Sequence, residues 1–179
     1  MILPSHDLLN SLKNIKSFFL DVDGIFTNNE IIITEAGEML RTMNVKDGYA
    51  IKQAILNNYF IAIITGGKSE GVVKRMQFLG IEEIHCGIKD KLTVASELVQ
   101  KYHLNWDEIC YMGDDFPDLP VMKKVGFPIC PADAIPEIQS ICKYVSHLNG
   151  GQAFVRDVIE KILRLNQSWE LDNLNISVS

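Results

Sequence analysis

The sequence lacks the features that would mark a nucleic-acid binder, a membrane protein or a disulfide-built domain. Its 179 residues hold 17 lysines and arginines against 23 aspartates and glutamates, a net charge of −6, and no basic block offsets the acidity. That balance argues against nucleic acid or an anionic membrane as a general partner, since both are drawn by a positive field. No apolar run approaches the length that spans a bilayer, and residues 1–14 lack the basic flank and long apolar core of a signal peptide, so a cytoplasmic protein is expected. The cysteines Cys86, Cys110, Cys130 and Cys142 form no C-x-x-C pair, and three of them lie in or beside apolar runs, which reads as buried reduced thiols. His6, His85, His103 and His147 are scattered without the spacing of a zinc site. Low-complexity runs, internal repeats and an interdomain linker are missing as well. With 47% hydrophobic residues, the expectation is one domain over residues 1–179, with a core at about 15–165 and a polar tail at 166–179.

What is present is an alternation of strands and helices. Ile15, Phe18-Phe19-Leu20 and Val22 read as a buried strand that ends at Asp21-Val22-Asp23-Gly24. Short β-rich runs at Ile25-Phe26-Thr27, Ile31-Ile32-Ile33 and Met39 to Met43, broken by Asn28-Asn29 and by Ala36-Gly37, predict a projecting β-hairpin. Helical spacing from Asp47 to Asn58 follows, then a strand from Tyr59 to Ile64, a helix from Ser69 to Leu79 closed by Gly80, and a strand at Glu83 to Cys86. The second half predicts helix 89–102, strand 109–112, helix 119–124, strand 127–130, a short helix from Ile135, strand 144–145 and helix 154–165. A short helix over residues 5–14 precedes the first strand. This rhythm implies parallel strands with right-handed crossovers, an α/β fold built on a doubly wound parallel sheet.

The strand ends carry the chemistry. Asp21 and Asp23, two apart, can face one crevice beyond the carboxyl end of a strand, where open α/β sheets bind ligands. Such a pair is either a turn that closes a strand or a site for a hard divalent cation that relieves the repulsion. Thr65-Gly66-Gly67 is either an ordinary strand-to-helix turn or a hydroxyl and backbone N–H groups suited to phosphate oxygens. Gly67-Lys68-Ser69 fails as a nucleotide P-loop, because the pattern demands glycine where Ala62 lies inside a strand. Lys91 is either a solvated charge or a cation that neutralises an aspartate or a phosphate. Gly113-Asp114-Asp115-Phe116-Pro117-Asp118 is a second acidic cluster, denser than helix capping needs, and one Mg²⁺ shared with the first would explain both.

The order Asp-x-Asp, Thr, Lys, Gly-Asp-Asp along the chain resembles the haloacid dehalogenase superfamily of phosphotransferases. From about Ile15 to Leu163 it is similar, more narrowly, to the 3-deoxy-D-manno-octulosonate 8-phosphate phosphatases. The matching segments include Asp21-Val22-Asp23-Gly24-Ile25-Phe26-Thr27, Asn44-Val45-Lys46-Asp47-Gly48, Thr65-Gly66, Asp90-Lys91, Gly113-Asp114-Asp115 through Met122, Ala132-Asp133-Ala134 and Gly150-Gly151 with Arg156. Two positions depart from that pattern. Gly67 stands where many members have an arginine implicated in holding the sugar acid, and the Gly-Gly-x-Gly tail reads Gly150-Gly151-Gln152-Ala153.

The resemblance implies Asp21 as nucleophile, Asp23 as general acid and base, and Thr65 and Lys91 as phosphoryl-binding groups. It also implies Mg²⁺ on Asp21, Asp23 and Asp114, with Asp115 and Asp118 in support. The intervals between these motifs are too short for a cap domain, so a capless enzyme is expected. The hairpin and the Gly150-Gly151 tail would then shield the site by docking on neighbouring subunits of a homotetramer. Thr27, Lys46, Gly66, Gly67, Arg75, Gly150, Gly151 and Arg156 are the expected contacts to a sugar-acid phosphate, with Arg156 foremost for its carboxylate. Two other readings are a phosphatase for a nine-carbon keto-acid 9-phosphate and a non-catalytic assembly module like those appended to some sugar-nucleotide transferases.

Overall fold

The structure, a computed structural model, describes residues 11–169. Its centre is β1 (Ser17–Leu20), in a six-stranded sheet whose other members are β4 (Phe60–Ile64), β5 (Glu83–His85), β6 (Ile109–Met112), β7 (Phe127–Cys130) and β8 (Tyr144–Val145). The order is β5-β4-β1-β6-β7-β8 and every pairing is parallel. Helices α1 (Val45–Leu56), α2 (Glu70–Phe78) and α6 (Phe154–Leu165) cover one face, and α3 (Lys91–Lys101), α4 (Leu119–Met122) and α5 (Pro136–Gln139) the other. This is the doubly wound sheet expected.

Strand alternation explains how both faces are filled. Phe18 and Leu20 join Ile61, Ile63, Cys110 and Met112 beneath α1 and α6, while Phe19 joins Ala62, Ile64, Ile109 and Tyr111 on the α3 side. The sequence therefore reads as unbroken apolar runs, since both sides of each strand are buried. The chain leaves β5 through α3 and re-enters on the opposite side of β1, at β6. The strand order thus reverses beside β1, and a crevice opens there at the strands' carboxyl ends.

Local signals set most boundaries. Asn44, Ser69 and Asp90 cap α1, α2 and α3 by accepting from the N–H groups of Lys46, Val72 and Thr93. Asn58 and Gly80 turn left-handed just past the ends of α1 and α2. Three expectations change. Ile25-Phe26-Thr27 is a tight turn and not a strand, because all three N–H groups converge on the Val22 carbonyl. The helix expected at 119–124 is shorter: a 3₁₀ turn (Phe116–Asp118) runs into α4, with Pro117 at its start. The tail does not leave the core at 166, since Trp169 is buried edge-on against Tyr49 with ring centroids 5.7 Å apart. The predicted helix over residues 5–14 lies mostly outside the described residues, as does the tail from 170.

The hairpin does project, as β2 (Ile32–Ile33) paired antiparallel with β3 (Met39–Leu40). It pairs with no other strand, and Ile31, Ile32, Ile33, Met39 and Leu40 are all exposed.

Candidate active site

Continuing the alternation of β1 one step past Leu20 places Asp21 on the α3 side of the sheet. Lys91, the first residue of α3, meets it there. Its Nζ lies 2.6 Å from Asp21 Oδ2 and 2.7 Å from Asp118 Oδ1, with the lysine side chain only 2% exposed. Lys91 is therefore not a solvated charge. It joins the two acidic strand ends, which are neighbours because β1 pairs with β6.

Asp118 is the anchor of this arrangement. Fully buried, it accepts from Lys91 and from Tyr111 Oη (2.7 Å) on one oxygen, and from the Asp114 (3.1 Å) and Asp115 (3.4 Å) N–H groups on the other. Both its oxygens are engaged, so it shapes the Gly113–Asp115 loop and holds the lysine. Asp114, held by Asn29 Nδ2 at 2.9 Å, faces Asp21 across the crevice. Asp115 accepts from the Phe116 N–H and is exposed at the rim.

Asp21, Asp23, Asn29, Thr65, Gly66, Gly67, Lys91, Asp114, Asp115 and Asp133 line a crevice of about 290 Å³. Five aspartates and one lysine make it strongly negative. Burial, with Asp118 adding to it, raises the Asp21 carboxyl to about 6 even against the opposing pull of Lys91. Burial likewise raises Asp114 to about 7, and the Asp118, Asp21 and Asp115 carboxylates push the same way. Lys91 is held above its ordinary value: burial opposes this, but Asp118 and Asp21 outweigh it.

These residues fit a hard divalent cation. Asp21, Asp114 and Asp118 present oxygens within 4.8 Å of one another, all donors are oxygens, and the crevice carries surplus negative charge that a cation would relieve. With Asp118 engaged elsewhere, Asp21 and Asp114 are the carboxylates that can hold it.

The other expected residues divide sharply. Thr65 and Gly67 are in place, with Thr65 Oγ1 accepting from the Gly67 N–H at 3.2 Å. Thr27 is buried and accepts from the Gly24 N–H at 3.2 Å, so it shapes the loop from beneath. Gly24 has φ +75°, and a Cβ there would overlap the Asp114 carboxylate. Gly150 and Gly151 form a turn held by their own chain beside the site. They pack within the chain under the Gly24–Asn28 turn, with the Gly151 N–H on the Ile25 carbonyl at 3.0 Å and the Gly150 N–H on Asp133 at 3.0 Å. Lys46 is exposed on α1 and Arg75 lines a neighbouring cavity; neither borders the crevice. Nor does Arg156, whose Nε donates to Glu160 at 2.9 Å while its guanidinium lies 5.6 Å from the Trp169 ring centre.

Sequence reasoning missed Asn29, Tyr111 and above all Arg41. Arg41 sends Nε to Asp23 Oδ1 at 2.7 Å and Nη2 to Asp23 Oδ2 at 3.2 Å, a two-pronged contact with the guanidinium arm 9% exposed. Asn29 reads as a turn residue and Arg41 as a hairpin charge, and no local pattern ties either to an aspartate elsewhere.

Residues 83–154 match the model of the haloacid dehalogenase-like hydrolase family. The 3-deoxy-D-manno-octulosonate 8-phosphate phosphatase of Salmonella typhi is 38% identical over 159 residues, covering 89% of this chain and 85% of the relative. The chain belongs to this phosphatase family. Among solved members, the Yersinia pestis phosphatase superposes with TM-score 0.88 at 34% identity, over 91% of this chain and 88% of that one. The Moraxella catarrhalis phosphatase, solved with magnesium, phosphate and KDO, superposes with TM-score 0.86 at 33% identity, over 89% of this chain and 91% of that one. Among the described residues only the hairpin, α1 and β4 lie between Asp23 and Thr65.

Proposed function

We propose that the chain hydrolyses 3-deoxy-D-manno-octulosonate 8-phosphate to the free sugar acid and inorganic phosphate, with Mg²⁺, in the synthesis of lipopolysaccharide precursors. The observation that carries this is Asp21, buried at the switch point of the sheet with Lys91 at 2.6 Å and Asp114 opposite, in a chain that shares family with these phosphatases over most of its length.

The mechanism follows from where these groups stand. A carboxylate oxygen of Asp21 attacks phosphorus and the bond to the sugar oxygen breaks, giving an aspartyl-phosphate. Asp23, on the same wall, donates a proton to the departing oxygen. In the second step Asp23 takes a proton from water, whose oxygen attacks phosphorus and returns Asp21 as a carboxylate. Thr65 Oγ1, the N–H groups of its loop and Lys91 Nζ receive the phosphoryl oxygens, and Asp118 fixes Lys91 for this task. Asp21, Asp114 and the Asp23 backbone carbonyl would hold Mg²⁺, with Asp115 and Asp118 in support; when bound, the ion screens the charge that carboxylate and phosphoryl group bring together.

The exposed apolar hairpin supports a homotetramer in which that hairpin is covered by another subunit. Analytical ultracentrifugation at assay concentration tests this, and a monomer with full activity would contradict it. Four unpaired cysteines suit a reducing compartment, and we place the enzyme in the cytoplasm.

The decisive experiment is turnover of a sugar-phosphate panel that includes eight-carbon and nine-carbon keto acids, with Mg²⁺ and with excess chelator. The eight-carbon substrate is expected to lead, chelator to stop turnover, and Asp21→Asn to abolish it with the circular dichroism unchanged. Preference for the nine-carbon ester would reassign the substrate; activity in chelator or in Asp21→Asn would remove the mechanism.

A further inference from the structure

Resting on that reading and deepening it, we propose that Arg41 binds the carboxylate end of the substrate, and that Gly67 is glycine to leave the guanidinium its place. The substrate carries an acid group at the end of the molecule remote from its phosphate ester. The crevice that takes the phosphate is walled by five aspartates and repels such a group. Lys91, the one cation lining it among the described residues, is already held by Asp21 and Asp118. A second cation must therefore stand next to the acidic wall.

Arg41 is the residue so placed. It follows β3, reaches back 18 positions in sequence to Asp23, and also lines a second cavity of about 660 Å³ with Met39, Met43, Ser69 and Arg75. Arg41 thus connects Asp23, on the wall of the catalytic crevice, with a larger cavity of a size to take the rest of a sugar acid. Two of its N–H groups are on Asp23, and an arginine side chain has five, so three remain for a ligand. Its planar fork, already closed on one carboxylate, is the geometry that recognises another.

Gly67 supplies the independent observation. A Cβ at that position would lie 3.2 Å from Asp23 Oδ2 and 3.3 Å from Arg41 Nη2, tighter than ordinary contact, so any side chain there would crowd the Asp23–Arg41 pair. The loop after Thr65 gives up its side chain at the point where an arginine from the hairpin enters. Of the other candidate cations, Arg156 is on Glu160, Lys46 and Lys68 are exposed away from the crevice lining, and Arg75 lines the second cavity but does not border the acidic crevice.

The test compares two primary phosphate esters in the full-length enzyme with Mg²⁺: the octulosonate 8-phosphate, and a pentose 5-phosphate without a carboxylate. Any effect of Arg41 through Asp23 is common to both, because both leaving groups need the same proton. Arg41→Ala is expected to lower kcat/KM for the keto acid about tenfold to a hundredfold more than for the pentose phosphate, mostly through KM. Arg41→Lys should recover little, since an ammonium offers no fork. Arg41→Ala/Gly67→Arg should regain much of the loss by supplying the guanidinium from the loop. Calorimetric binding of the free sugar acid should weaken in parallel. Equal losses on both esters, or no loss on either, would overturn the proposal. A wild type that hydrolyses no keto-acid phosphate would refute both readings.

Discussion

Replacing Lys91 with methionine probes the one cation that links the two acidic strand ends. The ammonium lies 2.6 Å from Asp21 and 2.7 Å from Asp118, and the methionine stem fills nearly the same volume. Removing one partner from a buried ion pair costs about 3–5 kcal/mol, since it leaves charge without compensation. Part of that cost should depend on pH. Asp21 already titrates at about 6 with the lysine present, and losing the lysine raises it further. A carboxyl whose folded value is raised binds more protons folded than unfolded, so its contribution to stability falls as pH climbs from the ordinary value of 3.8 through the folded one. At pH 5 Asp21 is protonated in both proteins, and only the loss of the Asp118 contact separates them. By pH 8, each unit by which the variant's Asp21 is raised adds about 1.4 kcal/mol to the gap. Urea unfolding followed by circular dichroism, in chelator at both pH values, measures this. A gap that is absent, or equal at pH 5 and pH 8, would refute the linkage between Lys91 and Asp21. Turnover should meanwhile fall about a hundredfold or more, as for a lost donor to a developing charge.

Two further substitutions test the frame. Gly24→Ala should both strain a backbone at φ +75° and displace the Asp114 carboxylate, so its Mg²⁺ requirement for half-maximal rate should rise at least about tenfold; an unshifted Mg²⁺ titration would contradict the assigned contact. Asp47 is fully buried, accepts from the Arg156 N–H at 2.8 Å and leaves Oδ2 without a partner, and burial raises it to about 7. The wild type should therefore lose more stability than Asp47→Asn as pH rises from 5 to 8, and parallel stability curves would show that the group does not titrate there.

The frame and the order of the catalytic groups are legible along the chain. Strand and helix periods are local, so β1, β4, β6 and β7 could be placed from apolar runs, α2 from Ser69 to its terminator Gly80, and α3 by its spacing, expected from 89 and beginning at Lys91. Asp21, Thr65 and Asp114 each sit just past a strand, and Lys91 opens α3. Once the strands are parallel, their carboxyl ends share one edge, and the site follows. The turn at Ile25–Thr27 misled because its β-prone, apolar composition suits a buried turn as well as a strand, and only the convergence of three N–H groups on Val22 separates them.

Which loop charges face the site emerges only from the packed fold. Arg156 stood beside the glycine turn and read as a substrate cation, yet α6 packs it against Glu160 and Trp169. Gly150 read only as part of a glycine pair, and folding sets it hard against the Gly24 carbonyl of its own chain. Arg41 carries no signal at all in the chain, since a hairpin charge has no period, cap or fixed spacing to the Asp23 it grips. The difference is one of range: hydrogen-bonded periodicity is written between near neighbours, whereas a buried ion pair depends on which loops the assembled sheet brings together, and that is settled only when the whole core packs.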